Sequence, residues 1–102
     1  MKTIWKYSLT AETTIEMPMN AQVLTVQAQD GGPQLWALVD PSALKCVRTF
    51  RMYGTGIKIR SNPGQYIGSL QIADEFTFVF HVFETTEQPD PRGDPADDKQ
   101  PR

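Results

Sequence analysis

Apolar residues in this chain recur at every second position and nowhere at helical spacing over three turns, and that period decides what the chain can fold into. Within Ala21 to Gln29, Val23, Thr25 and Gln27 alternate with Leu24, Val26 and Ala28; within Gln34 to Val39, Leu35, Ala37 and Val39 alternate with Trp36 and Leu38. Between these runs stands Asp30-Gly31-Gly32-Pro33. Its paired glycines tolerate positive φ and its proline is expected not to join a ladder, which reads as a hairpin turn. Residues 46–53 alternate again, with Cys46, Arg48, Phe50 and Met52 on one face and Val47, Thr49, Arg51 and Tyr53 on the other. Gly54-Thr55-Gly56 then turns the chain back through Ile57-Lys58-Ile59-Arg60, and Ser61-Asn62-Pro63-Gly64 turns it into Tyr66–Ile72. Asp74 leads into a run from Phe76 to Phe83, and Thr3–Leu9 and Thr13–Met17 complete seven or eight strands. The best helix candidate, Pro41–Lys45, is one turn long. The pattern predicts an all-β fold, a small antiparallel sandwich or barrel.

Composition separates this domain from its end. The chain has 102 residues, enough for one domain. Residues 84–102 hold six acids, three bases, four prolines and one residue of the apolar set, Ala96; residues 1–83 hold seven bases and six acids. The spacing therefore predicts one β domain over 1–84 and a disordered, acidic, proline-rich tail over 85–102, which has too little apolar surface to offset the entropy of ordering. The tail reads as a solubilising end, with an interaction arm as the functional alternative. A near-neutral domain gives no bulk electrostatic argument for nucleic acid. No stretch approaches the roughly 20 apolar residues of a membrane span, and the first residues carry no signal-peptide pattern. The expectation is a cytoplasmic protein with Cys46 as a reduced thiol.

The run from Phe76 to Phe83 is apolar on both faces: Phe76, Phe78, Phe80 and Val82 on one, Val79 and Phe83 on the other. Such a strand is normally central and covered twice. Cover for its second face comes either from another subunit, making a homo-oligomer, or from Trp5 or Trp36.

Chemistry-bearing residues are sparse. Cys46 and His81 are the single cysteine and histidine, too few for a structural zinc site. They would form a thiolate–imidazole pair only if brought together, and both lie within strands, away from the helix termini that activate thiols. Asp74 and Glu75 sit at a turn, Glu12 and Glu16 in another segment, and nothing selects a facing carboxylate pair. Phosphate-binding loops are absent. The expectation is a protein without enzymatic activity, cofactor or metal. The densest constellation is Arg48–Arg60, which carries four of the seven bases of residues 1–83. Read as a hairpin, it makes Arg48, Arg51, Tyr53, Gly54, Thr55, Gly56, Lys58 and Arg60 candidate ligand-binding residues: a Gly-Thr-Gly backbone nest for an anion beside arginine and an aromatic ring suits a nucleotide. The alternative is a turn flanked by the charges that protect edge strands.

Thr3-Ile4-Trp5-Lys6-Tyr7, Thr14-Ile15-Glu16-Met17-Pro18, Leu35-Trp36-Ala37-Leu38-Val39-Asp40-Pro41, Arg48-Thr49-Phe50-Arg51, Gly54-Thr55-Gly56, Tyr66-Ile67-Gly68 and Phe80-His81-Val82-Phe83-Glu84 run in order along the chain. Together these words resemble a family of short, uncharacterised proteins encoded by phages and prophages. Members of that family often follow Gly-Thr-Gly with His-Pro; Ile57-Lys58 stands there in this chain, so no histidine role at the turn carries over. The resemblance implies a phage accessory protein in the cytoplasm of a bacterial host cell. It implies no established activity; together with a compact two-faced sheet and no catalytic constellation, it leads to the expectation of a non-enzymatic binding module that binds or sequesters a host protein or a signalling nucleotide, as in counter-defence. The alternatives are a minor virion or assembly protein and an enzyme using Cys46 and His81.

Overall fold

The computed structural model of the chain describes residues 1–85. Among them the chain forms seven antiparallel strands and no helix: β1 (Thr3–Ser8), β2 (Glu12–Pro18), β3 (Gln22–Gln29), β4 (Gly32–Val39), β5 (Lys45–Gly54), β6 (Gln65–Ala73) and β7 (Thr77–Thr85). They build two separate sheets, in the orders β1-β4-β3 and β2-β5-β7-β6, so the domain is a sandwich and the barrel alternative falls away. No helix among the described residues is long and apolar enough to cross a membrane.

Period two sets the layers. Leu35, Ala37 and Val39 of β4 are buried while Trp36 and Leu38 between them stay half-exposed. From the facing sheet Ile15, Met17, Phe50, Leu70 and Val82 bury against them, with Leu9, Ala21 and Val26 closing the core. Asp30 (φ 56°) and Gly31 (φ 81°) form a two-residue type I′ turn that pairs Gln29 with Gly32; the hairpin stands where the sequence puts it, but the positive φ falls on Asp30 and Gly31 and not on the paired glycines, and Gly32 already belongs to β4. Pro33 nevertheless lies inside β4, opposite Ala28. Its carbonyl accepts the Leu9 amide, and its missing N–H points the same way, where β1 has already ended.

Strict alternation fails at two bulges. Leu24 is an extra residue in β3, which lets Val23 and Val26 both face the core and leaves Leu24 exposed. Ile67 is an extra residue in β6; it turns inward while Tyr66 faces out and Gly68 faces in. Gly68 faces the other sheet at close range, since a Cβ there would meet a methyl of Val26 at 3.3 Å.

Three further readings need correction. Ile57–Arg60 forms no strand, because both long edges of β5 are already paired, with β2 and β7, and nothing is left for a returning strand to join. Instead Gly54 accepts the Ile57 amide at 3.1 Å in a tight turn, with Gly56 at φ 89° supplying the positive φ that such a turn requires. Phe76 belongs to the β6–β7 turn, where Asp74 donates to its carbonyl, and β7 begins one residue later. β7 is central within its sheet, but the half-buried His81 and Phe83 on its outer face are flanked by Tyr53 and Tyr66, whereas Trp5 and Trp36 belong to the other sheet. At the chain's end β7 continues through a buried Thr85, one residue past the composition boundary; the rest of the expected disordered tail lies outside the described residues.

Gly64 closes the loop between β5 and β6 onto the end of β7. Its φ is 102°, and a Cβ there would run into the Glu84 carbonyl oxygen and approach the Thr85 Cα to 2.8 Å. Gly64→Ala is therefore expected to cost at least about 2 kcal/mol and to lower the melting temperature by ~10 °C. Gly31→Ala, at positive φ but in open space, should cost only about 1 kcal/mol. Thermal unfolding followed by circular dichroism checks this, and equal effects at the two sites would contradict the close approach.

Candidate functional site

The β5 alternation sends its basic residues to opposite sides of the sheet. Arg48 faces inward. Its Nε and Nη2 donate to the two carboxylate oxygens of Glu84 on β7 at 2.7 and 2.8 Å, and its Nη1 donates to the carbonyl of Ala21 at 2.6 Å. The guanidinium also lies 5.9 Å from the centre of the Phe50 ring. The hydrogen bonds that Arg48 donates to Glu84 hold its pKa above the usual value against the opposing effect of burial. Arg48 thus ties β5 and β7 to the turn that carries the chain between sheets, and its Nε–Nη2 edge, the one that grips an anion in bidentate fashion, is taken by Glu84.

Arg51 and Tyr53 face outward with two rows of neighbours. One row crosses all four strands as Glu12, Arg51, Phe83 and Tyr66; the next contains Tyr53, His81 and Ser69. Arg51 Nε donates to Glu12 at 2.6 Å. Burial works against its charge, but the bond to Glu12 and its negative charge outweigh that and raise the Arg51 pKa. Tyr53 and Tyr66 meet the Phe83 ring edge-on at centroid distances of 5.8 and 5.2 Å. His81 is held at both ring nitrogens: Nε2 lies 2.8 Å from the Thr55 hydroxyl and Nδ1 lies 3.3 Å from the Tyr66 hydroxyl. Four aromatic rings and one guanidinium therefore share a flat outer face whose side chains hold one another in place.

The expected nucleotide site does not assemble. Arg48 is on the wrong side of the sheet, and Lys58 and Arg60 lie in the exposed irregular run beyond the turn. The Gly54-Thr55-Gly56 loop is no open nest either, because the Thr55 amide donates to Val79 at 3.1 Å and the Ile57 amide to Gly54. Of the eight candidates, Arg51, Tyr53 and Thr55 reach the outer face, Gly54 and Gly56 shape its adjoining turn, and Arg48, Lys58 and Arg60 are elsewhere. Cys46 and His81 do not meet. Cys46 shares the inward side with Arg48, whereas His81 faces out opposite Tyr53, seven residues along β5 or ~23 Å away. Among the described residues no cluster of histidine, cysteine and acids can hold a metal ion.

Glu12, Tyr66, His81 and Phe83 complete the face and were not singled out as site residues from sequence. The β6–β7 register joins them, and the bulge at Ile67 that turns Tyr66 outward is signalled in the sequence only by Gly68, a lone glycine inside a strand pattern.

The chain belongs to a family defined by a domain of unknown function (DUF7352), whose model matches residues 1–93. That match reaches beyond Glu84, where the matching words end, into the proline-rich tail. No curated protein and no solved structure matches the chain.

The Arg48–Glu84 side chains are 21% and 18% exposed, so removing one leaves the other largely desolvated and unpaired. Arg48→Ala and Glu84→Ala should each cost about 2 kcal/mol, while the paired change Arg48→Met with Glu84→Leu should cost less than either. Arg48→Lys should fail to restore stability, because an ammonium cannot serve both carboxylate oxygens and the Ala21 carbonyl at once. Urea unfolding of the four variants measures this; additive losses in the paired variant would show that the two groups act independently.

Proposed function

We propose that this domain is a non-enzymatic binding module that docks a protein partner on the outer face of its four-stranded sheet. The observation that carries the reading is the row Glu12–Arg51–Phe83–Tyr66 with Tyr53 and His81 beside it, on which Tyr66 remains 51% exposed. Tyrosine and arginine dominate the energetic centres of protein interfaces. Tyrosine offers a large contact with only two side-chain torsions to freeze. Ring contacts and the two hydrogen bonds to His81 hold these groups before a partner arrives, which lowers the ordering cost of binding.

The resemblance to short phage and prophage proteins supports a bacterial host protein as that partner and the host cytoplasm as the setting, with counter-defence as one such role. A signalling nucleotide is the weaker reading. It needed the five basic and aromatic side chains Arg48, Arg51, Tyr53, Lys58 and Arg60 to converge on one concavity, and they lie on different sides of the domain.

Affinity capture from bacterial lysate with the full chain tests the reading. A specific protein should be retained by the wild type and by Lys58→Glu. Loss of a central tyrosine should weaken binding by about 2 kcal/mol, so Tyr66→Ala and Arg51→Glu should release it. Retention by all four baits alike would place the contact off this face, and accumulation of the protein in purified phage particles would favour a structural role.

A further inference from the structure

Where β5 ends and β7 begins, the three-stranded sheet no longer covers the inner face of its partner. A groove of about 560 Å³ opens there, lined by Gly54, Ile57, Thr77, Phe78, Val79 and Phe80. Its large apolar side chains stand in solvent: Ile57 is 63% exposed, Phe78 52% and the adjoining Phe76 68%. Single exposed apolar residues are ordinary, but a contiguous patch of several hundred Å² marks an interaction surface.

The flanks of this groove carry opposite charge. On the β5 side, the run that follows Ile57 brings exposed Lys58 and Arg60; on the β6 side, the turn that precedes Thr77 brings exposed Asp74 and Glu75. Among the described residues none of these four side chains forms an ion pair within the chain; the two ion pairs there are Arg48–Glu84 and Arg51–Glu12. An occupant must therefore present apolar side chains at its centre, acids to one side and bases to the other.

We infer that the occupant is a second copy of this chain, related by a two-fold axis through the groove. In a two-fold interface each patch meets itself reversed, so residue i touches j and j touches i. Lys58 and Arg60 of one copy then face Asp74 and Glu75 of the other, twice, while Ile57 packs against the partner's Phe76 and Phe78 lies nearest the axis. One surface supplies every complementary feature without a second protein matching it. Exposed Ile57, Phe76 and Phe78 form the apolar centre of the contact and the charged rims widen it, a stable interface needing about 800 Å² from each partner. The groove, whose lining also includes Thr55, adjoins the tyrosine face at the end of β5 but includes none of Arg51, Tyr53, Tyr66, His81 or Phe83, so different substitutions test the dimer and the proposed partner.

The test is a charge exchange read by analytical ultracentrifugation of the full chain. The wild type should dimerise. Variant Lys58→Glu/Arg60→Glu and variant Asp74→Lys/Glu75→Lys should each self-associate at least ~100-fold more weakly, because like charges then face each other. Mixed in equal amounts, the two should form a heterodimer with wild-type strength, since both rims become complementary again. All substituted positions are exposed, and unchanged circular dichroism will confirm folding. A wild type that stays monomeric at millimolar concentration, a dimer insensitive to both exchanges, or a mixture that remains monomeric each overturns the inference. Tyr66→Ala should leave dimerisation unchanged, so loss of partner binding and loss of the dimer are separable.

Discussion

Both edges of β5 are hydrogen-bonded, one to β2 and the other to β7, and most of what distinguishes this domain follows from that position. A strand paired on both sides places every second side chain on each face of the sheet. In β5 that puts Phe50 and Arg48 into the space between the sheets and Arg51 and Tyr53 onto the open side. Full pairing also leaves Ile57–Arg60 without a strand to join. The chain must turn off at Gly54–Ile57, and the apolar groove opens beside that turn.

Arg48 shows how a small sandwich accommodates a charge on its inner face. Desolvating a guanidinium is costly, and Glu84 alone would compensate it only in part. The third contact, to the Ala21 carbonyl at the turn between β2 and β3, lets the same group satisfy a backbone acceptor at the point where the chain crosses between sheets. The ion pair is thus less a source of net stability than a clasp that fixes how the sheets sit on one another. The exposed Arg51–Glu12 pair has the same short distance but is in contact with solvent, where such a pair contributes little, and its role is to orient Arg51 on the outer face.

The fold class, the Asp30-Gly31 hairpin and the face assignments within β4 and β5 were legible from period two and turn chemistry, because both are local properties of the chain. Three things were not. The bulges at Leu24 and Ile67 shift the period by one residue inside the β3–β4 and β6–β7 hairpins, against the plain alternation of the sequence, and the one at Ile67 decides that Tyr66 faces outward. The fate of Ile57–Arg60 depended on whether an edge of β5 was free, which only topology decides. The candidate site was half legible for the same reason. Arg51 and Tyr53 could be placed on one face from β5 alone, whereas Phe83, His81 and Tyr66 join them through the ladders of β7 and β6, far along the sequence.

The domain thus has two surfaces of different chemistry, an aromatic outer face, proposed to dock a protein partner, and an apolar groove with opposed charged rims, proposed to seat a second copy. Membership of a family of unknown function adds no activity to this picture, so the central claim rests on the outer face. In-cell nuclear magnetic resonance of the isotopically labelled full chain in bacteria, compared with the purified protein, tests that claim most directly. The account predicts selective broadening or shifting of Arg51, Tyr53, Tyr66, His81 and Phe83, with the core around Leu35 and Val82 unchanged. Identical spectra inside and outside the cell, or perturbations that spare this face, would contradict it.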